Sequence, residues 1–151
     1  MRELVKKVCN TLSVERHEAE LIVATLLDRP LFSLYLNEMI DDHSMALLDM
    51  KLTQLKNGVP IEYITKRMQF LDYTLHIHPG VFIPRTETEY FVELIARKAV
   101  VAPEHILDIG TGSGAISIAL ARLFPSSMII ATDIAENALA CAQENILAQQ
   151  L

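Results

Sequence analysis

Ile106-Leu107-Asp108-Ile109-Gly110-Thr111-Gly112-Ser113-Gly114-Ala115 is the stretch that decides the fold class of this chain. Apolar residues surround the carboxylate of Asp108, and glycine then takes every second position. An apolar run from Ala115 to Leu123 follows at helical spacing. The reading is strand, tight glycine turn, helix N-terminus. Backbone N–H groups at such a helix start, with no Cβ in the way, can be approached closely by a polar or anionic ligand. One unit later, Met128-Ile129-Ile130-Ala131-Thr132 reads as the next strand, with Asp133 at its carboxyl end. An α/β nucleotide site places an acid there to accept hydrogen bonds from ribose hydroxyls.

The glycine pattern leaves the cofactor open. Gly110-x-Gly112-x-x-Ala115 satisfies the loose dinucleotide pattern, and Gly110-x-Gly112-x-Gly114 after Asp108 satisfies the S-adenosylmethionine pattern. A tight turn that binds nothing accounts for one glycine, not three, because each costs about 0.5–1 kcal/mol of backbone entropy in ordered structure.

The length of 151 residues allows one ordinary domain or two small ones, and 51% hydrophobic residues suffice for a core. The net charge of -6 and the lack of a Lys/Arg block argue against direct nucleic-acid binding, which needs a basic footprint. Cys9 and Cys141 lie far apart without a CxxC partner, so neither a disulfide framework nor a zinc site is expected, and a reducing cytoplasm fits. The N-terminus lacks signal-peptide character, and no apolar run is long enough to span a membrane.

Residues 1–57 read as a small helical bundle. Leu4, Val5, Val8 and Leu12 recur at helical spacing. Ser13 is placed to cap a second helix, Val14 to Asp28, with Leu21, Ile22, Ala24, Leu26 and Leu27 as its apolar face. Pro30 suits the first turn of a third helix carrying Leu31, Leu34 and Met39. Ser44 is placed to cap a fourth, with Leu48, Leu52 and Leu55 as its stripe and Asn57-Gly58 as its end. His17 and His43 lie among polar residues and read as solvated.

Residues 58–85 are punctuated by Gly58, Pro60, Pro79, Gly80 and Pro84. Met68 and Phe70, then Tyr73, Leu75 and Ile77, alternate around Leu71-Asp72, which reads as a β-hairpin linking two domains. His76 and His78 share one strand face at period two. Two such histidines can chelate a metal, but no third ligand accompanies them, and a polar strand face is the better reading. Thr86 and Glu89 then form a T-x-x-E capping box that opens a helix through about Val100, with Phe91, Val92, Leu94 and Ile95 as its buried face. The box leaves Phe82, Arg85 and Glu87 unexplained. They are packing or exposed residues, or they stand near the mouth of the cofactor site. After Asp133, residues 135–151 read as a helix with Ala138, Leu139, Ala142 and Ile146 on one face.

A doubly wound sheet needs more than two parallel strands and buries both faces, so an unpaired edge and uncovered apolar surface are expected. The expectation is a truncated domain, completed by further sequence or by another chain.

The Gly58-Val59-Pro60-Ile61-Glu62-Tyr63-Ile64 segment, the Phe82-Ile83-Pro84-Arg85-Thr86-Glu87-Thr88-Glu89 segment and the Asp108 to Ala115 loop occur in fixed order. Together they resemble the HemK/PrmC family, protein-(glutamine-N5) methyltransferases of peptide chain release factors. The glycine loop is shared by many methyltransferases; the linker motif is more specific. The resemblance implies an α/β chain with a helical release-factor-docking domain (1–57), a β-hairpin linker (58–85) and the start of a class I, Rossmann-like methyltransferase domain (86–151). It implies that Gly110, Thr111, Gly112, Ser113 and Gly114 wrap the methionine part of S-adenosyl-L-methionine. Asp108 would help orient that loop and the substrate's amino group, Asp133 would bind the ribose hydroxyls, and Phe82, Arg85 and Glu87 would lie near the cofactor. The chain departs from the family pattern Pro-Arg-Pro-Glu-Thr-Glu at Thr86, and it lacks the Asn-Pro-Pro-Tyr motif that in this family holds the glutamine amide. No catalytic residue is therefore named, and little or no methyl transfer is expected of this chain alone. Three other readings stay open: a class I methyltransferase with a different substrate, an NAD-binding module, and a non-enzymatic binding fragment.

Overall fold

The computed structural model describes residues 2–36 and 40–151. Two compact units divide the chain, residues 1–65 and 66–151. The division falls inside the 58–85 segment, and the hairpin counts with the second unit.

The first unit is helical. Helix α1 (Arg2–Leu12) buries Leu4, Val5 and Val8, the stripe its spacing predicts. Helix α2 (Arg16–Leu27) begins later than expected. Ser13 does not cap it, since Ser13 itself takes a left-handed φ of 58°, and Glu15 stands at the N-cap without a side-chain bond. The buried face of α2 is Ala19, Val23, Ala24 and Leu26, while Leu21 is exposed. The buried carboxylate of Glu20 accepts from Arg16 Nε at 2.8 Å and from the Tyr35 hydroxyl at 2.7 Å. Those donors, Arg16 first, hold it below the usual carboxylate range.

The third helix shortens to a 3-10 turn, Leu31–Tyr35, in which Leu34 supplies the buried apolar side chain. Met39 lies outside the described residues. Helix α3 (Asp42–Lys56) is capped by Asp41 rather than Ser44. The Asp41 carboxylate accepts the Ser44 N–H and the Ser44 hydroxyl, each at 2.8 Å. Leu48 and Leu52 are buried as expected, and Asn57-Gly58 ends the helix with Gly58 at φ 84°. A short helix α4 (Ile61–Thr65) follows where none was expected; Ile61 and Ile64 pack on the bundle core. His17 and His43 are exposed.

The second unit opens with the expected hairpin. Strands β1 (Arg67–Phe70) and β2 (Tyr73–His76) pair antiparallel, Phe70 opposite Tyr73. Phe70, Tyr73 and Leu75 are buried, and the Phe70 and Tyr73 rings meet edge-on with centroids 5.9 Å apart. The Leu71 N–H between the strands donates to Glu89 at 2.7 Å. That bond takes the carboxylate the capping box would have used. Helix α5 (Thr86–Lys98) therefore starts with Arg85 at the N-cap and no side-chain cap. Of its expected face only Val92 is fully buried; Phe91 and Leu94 are exposed.

Strand β3 (His105–Ile109), helix α6 (Ala115–Leu123) and strand β4 (Met128–Thr132) form the βαβ unit read from the glycine stretch. The strands run parallel with Asp108 opposite Ala131 and Ile109 opposite Thr132. Helix α7 (Glu136–Ala148) buries Ala138, Cys141, Ala142 and Asn145, a helical stripe that replaces the expected Leu139 and Ile146 with Cys141 and Asn145. Among the described residues β3 and β4 pair only with each other. The expected bare apolar surface is present: Leu107, Ile109, Met128 and Ile130 alternate along the strands, and Ile109 is 79% exposed. No helix among the described residues is long and apolar enough to cross a membrane.

Candidate functional site

The glycine turn joins β3 to α6 in a form that requires glycine. Gly110, Gly112 and Gly114 sit at φ 80°, 57° and 81°, the left-handed region that costs other residues about 1–2 kcal/mol. At Gly110 and Gly112 a Cβ would meet no atom within 4 Å, so the bare backbone faces open space. At Gly114 the reason is packing: a Cβ would stand 3.2 Å from Ala142 Cβ. The three glycines thus divide into two that face open space and one that lets α7 close on the loop.

Backbone bonds fasten the loop to the adjoining strand. The N–H groups of Gly110 and Thr111 both donate to the Thr132 carbonyl, at 2.8 and 2.9 Å. The Asp108 carboxylate lies below the turn and accepts the Thr111 hydroxyl at 2.8 Å and the Ser117 hydroxyl at 2.7 Å. Both hydroxyls belong to buried residues, so Asp108 links the turn to the first helical residues of α6.

Asp133 stands where β4 ends. One oxygen accepts the Gly112 N–H at 2.8 Å; the other accepts the Ala135 N–H at 3.0 Å. These backbone donors, Ala135 first and then Gly112, hold the carboxyl below its ordinary value and keep it ionised. Each carboxylate oxygen retains a further lone pair for a ligand donor. An ionised acceptor beside an open, Cβ-free turn suits a ligand that presents hydroxyl groups, as a ribose does.

The structure therefore brings together Asp108, Thr111, Gly112, Asp133 and the flanking glycines. Phe82, Arg85 and Glu87 are exposed, and the Arg85 guanidinium lies 5.7 Å from the Phe82 ring centroid. No hydrogen bond or ion pair joins these three to the glycine loop among the described residues. His76 and His78 both face Glu144, at 3.2 and 2.6 Å, rather than solvent alone. No group of three or more His, Cys, Asp and Glu side chains among the described residues is placed to hold a metal ion.

Sequence reasoning missed Asn145, a fully buried amide that touches the loop. Its only signal is a polar residue seven positions after Ala138 on the inner stripe of α7.

The methyltransferase small domain model matches residues 72–151. The chain belongs to this methyltransferase family. The family assignment gives the βαβ unit its context, that of an α/β methyltransferase fold. The resemblance drawn from the linker and the glycine loop is borne out by the relatives. The release factor glutamine methyltransferase of Dictyoglomus turgidum is 38% identical over 130 residues, which cover 85% of this chain and 46% of that protein. The protein of the same name from Escherichia coli is 36% identical over 132 residues, covering 86% and 48%. That of Thermosynechococcus vestitus is 47% identical over 93 residues, covering 58% and 31%. The chain spans about half the length of the first of these relatives.

Proposed function

We propose that this chain forms the cofactor-binding part of an S-adenosylmethionine-dependent methyltransferase whose substrate is a glutamine side chain of a peptide chain release factor. The observation that carries the reading is the Cβ-free turn at Gly110 and Gly112 with ionised Asp133 bonded to its backbone. The names of the relatives support the substrate class. In this reading Gly110, Thr111, Gly112, Ser113 and Gly114 cradle the methionine part. Asp108 holds the turn in shape through Thr111 and Ser117. Asp133 accepts from the ribose hydroxyls through the lone pairs its backbone donors leave. Phe82, Arg85 and Glu87 border the site.

S-adenosylmethionine, when bound, supplies an electrophilic methyl group on a sulfonium sulfur. The Gly-Gly-Gln glutamine offers an amide nitrogen, a poor nucleophile because its lone pair is delocalised. Catalysis then depends on in-line positioning and on acceptors for the amide protons. No residue of this chain is assigned that acceptor role. Residues 1–57 serve in this reading as the release-factor dock.

Calorimetry with S-adenosylmethionine and, separately, with NAD tests the cofactor. We expect binding of the first, lost in Asp133→Ala, and none of the second; binding of NAD alone would overturn the reading. A methyl-transfer assay on a release factor should show little or no turnover by this chain. Robust turnover would mean that a proton acceptor is present and unrecognised.

A further inference from the structure

We propose that Asn145 is the positioning residue of the cofactor loop, holding Ser113-Gly114 through its amide; this rests on the reading of that loop as the S-adenosylmethionine cradle. Asn145 is completely buried on α7. A buried amide is costly unless every polar atom is paired, and here both the oxygen and the nitrogen are. Its Oδ1 accepts the His76 N–H at 2.6 Å. Its Nδ2 donates to the His76 carbonyl at 2.9 Å and to the Ser113 carbonyl at 2.8 Å. Toward β2 the side chain acts as a further strand would, exchanging both bonds with one residue. Toward the loop it fixes a single peptide plane. The other end of that plane, the Gly114 N–H, donates to the Thr111 carbonyl at 2.9 Å. The plane is thus held on both sides.

A second contact comes from the same helix face. Ala142, three residues before Asn145, lies where a Cβ on Gly114 would collide with it. Ala142 and Asn145 grip adjacent loop residues from one side, leaving Gly110 and Gly112 open to the ligand.

The donor and acceptor pattern demands an amide. A carboxylate of the same shape keeps the acceptor for His76 N–H but turns a second oxygen toward two carbonyls. Asn145→Asp therefore changes the bonds and leaves the volume unchanged. Gln149→Ala is the control: Gln149, the C-cap of α7, donates to the Thr74 carbonyl at 3.2 Å and accepts from Arg122 at 2.6 Å, with no side-chain hydrogen bond to the loop.

The experiment uses the full chain, with S-adenosylhomocysteine affinity by calorimetry and amide hydrogen exchange over residues 110–115. Asn145→Asp is expected to weaken binding about tenfold or more and to speed loop exchange by a similar factor. Gln149→Ala should leave both within about twofold. Equal losses in the two variants, or unchanged loop exchange in Asn145→Asp, would overturn the proposal. Should the unaltered chain fail to bind S-adenosylhomocysteine, the cofactor reading falls, while the exchange comparison still decides the role of Asn145. If Asn145→Asp does not fold, nuclear magnetic resonance of the unaltered chain decides it. The Asn145 Nδ2 protons exchange at the rate of the Gly114 amide if the two form one unit; independent rates overturn it.

Discussion

Gly112→Ala and Gly114→Ala place the same methyl group on the same loop, and the structure assigns them different failures. Both positions have positive φ, 57° and 81°, so each variant loses about 1–2 kcal/mol to the left-handed conformation. Reduced freedom in the unfolded chain returns about 0.4–1 kcal/mol in each case. At Gly114 the new Cβ also meets Ala142 Cβ at 3.2 Å, Ala142 Cα at 3.3 Å and Ile118 Cδ1 at 3.5 Å. Ala142 Cα is backbone and cannot turn aside, so overpacking adds about 1–3 kcal/mol. The totals are about 1–5 kcal/mol for Gly114→Ala and about 0–1.6 kcal/mol for Gly112→Ala. In a unit of this size each kcal/mol lowers the melting temperature by about 4–8 °C. Binding reverses the order. The Gly112 methyl enters open space that the ligand would fill, and an overlap of about 1–3 kcal/mol is roughly 5- to 150-fold in Kd. Urea denaturation and S-adenosylmethionine calorimetry on the two variants check both halves. Equal stabilities, or unimpaired binding by Gly112→Ala, would refute the division of the glycines into a cradle and a packing contact.

Asp108→Ala leaves the buried Thr111 and Ser117 hydroxyls only each other, 3.3 Å apart, and should cost about 2–4 kcal/mol in urea denaturation. Asp133 is held below its ordinary value of 3.8, so its contribution to stability is full above that pH and disappears as pH falls through the folded-state value. The stability gap between the chain and Asp133→Asn, followed by denaturation from pH 7 downward, should narrow below about pH 4. Exposed Leu107, Ile109, Met128 and Ile130 predict self-association, to be read by light scattering, and a clean dilute monomer would count against it.

Elements whose determinants are contiguous were legible in the sequence. Strand β3, the glycine turn, α6 and β4 lie within one short stretch, and each is announced by its own residues. Helix caps were read less well because the candidate side chains had distant competitors. Glu89 could have closed a box with Thr86, yet it accepts from Leu71 N–H in the hairpin. Asp41 outcompeted Ser44 because a carboxylate can accept the Ser44 N–H and hydroxyl together. At the candidate site, Asp108 was visible from its place in β3 just before the glycine turn and Asp133 from its place at the end of β4. Their bonds to Ser117 and to Gly112 were not, since residue type does not disclose which donor turns inward. Asn145 was the hardest to see. Its partners lie 69 and 32 residues away in the chain, and no local pattern reports them. His76 ends β2 and His78 lies beyond it, so they do not share one strand face; their common partner, Glu144, belongs to α7.

The span from His76 to Asn145 also sets a schedule during synthesis. The hairpin leaves the ribosome first, and the helix that completes its hydrogen bonds is made 69 residues later. At ordinary translation rates of about 5–20 residues per second, the interval is roughly 3–14 s. A two-stranded hairpin is marginal in water on its own, so for those seconds β1 and β2 lack the seal that α7 will provide. The nascent second unit therefore acquires this tertiary lock only when α7 has been made.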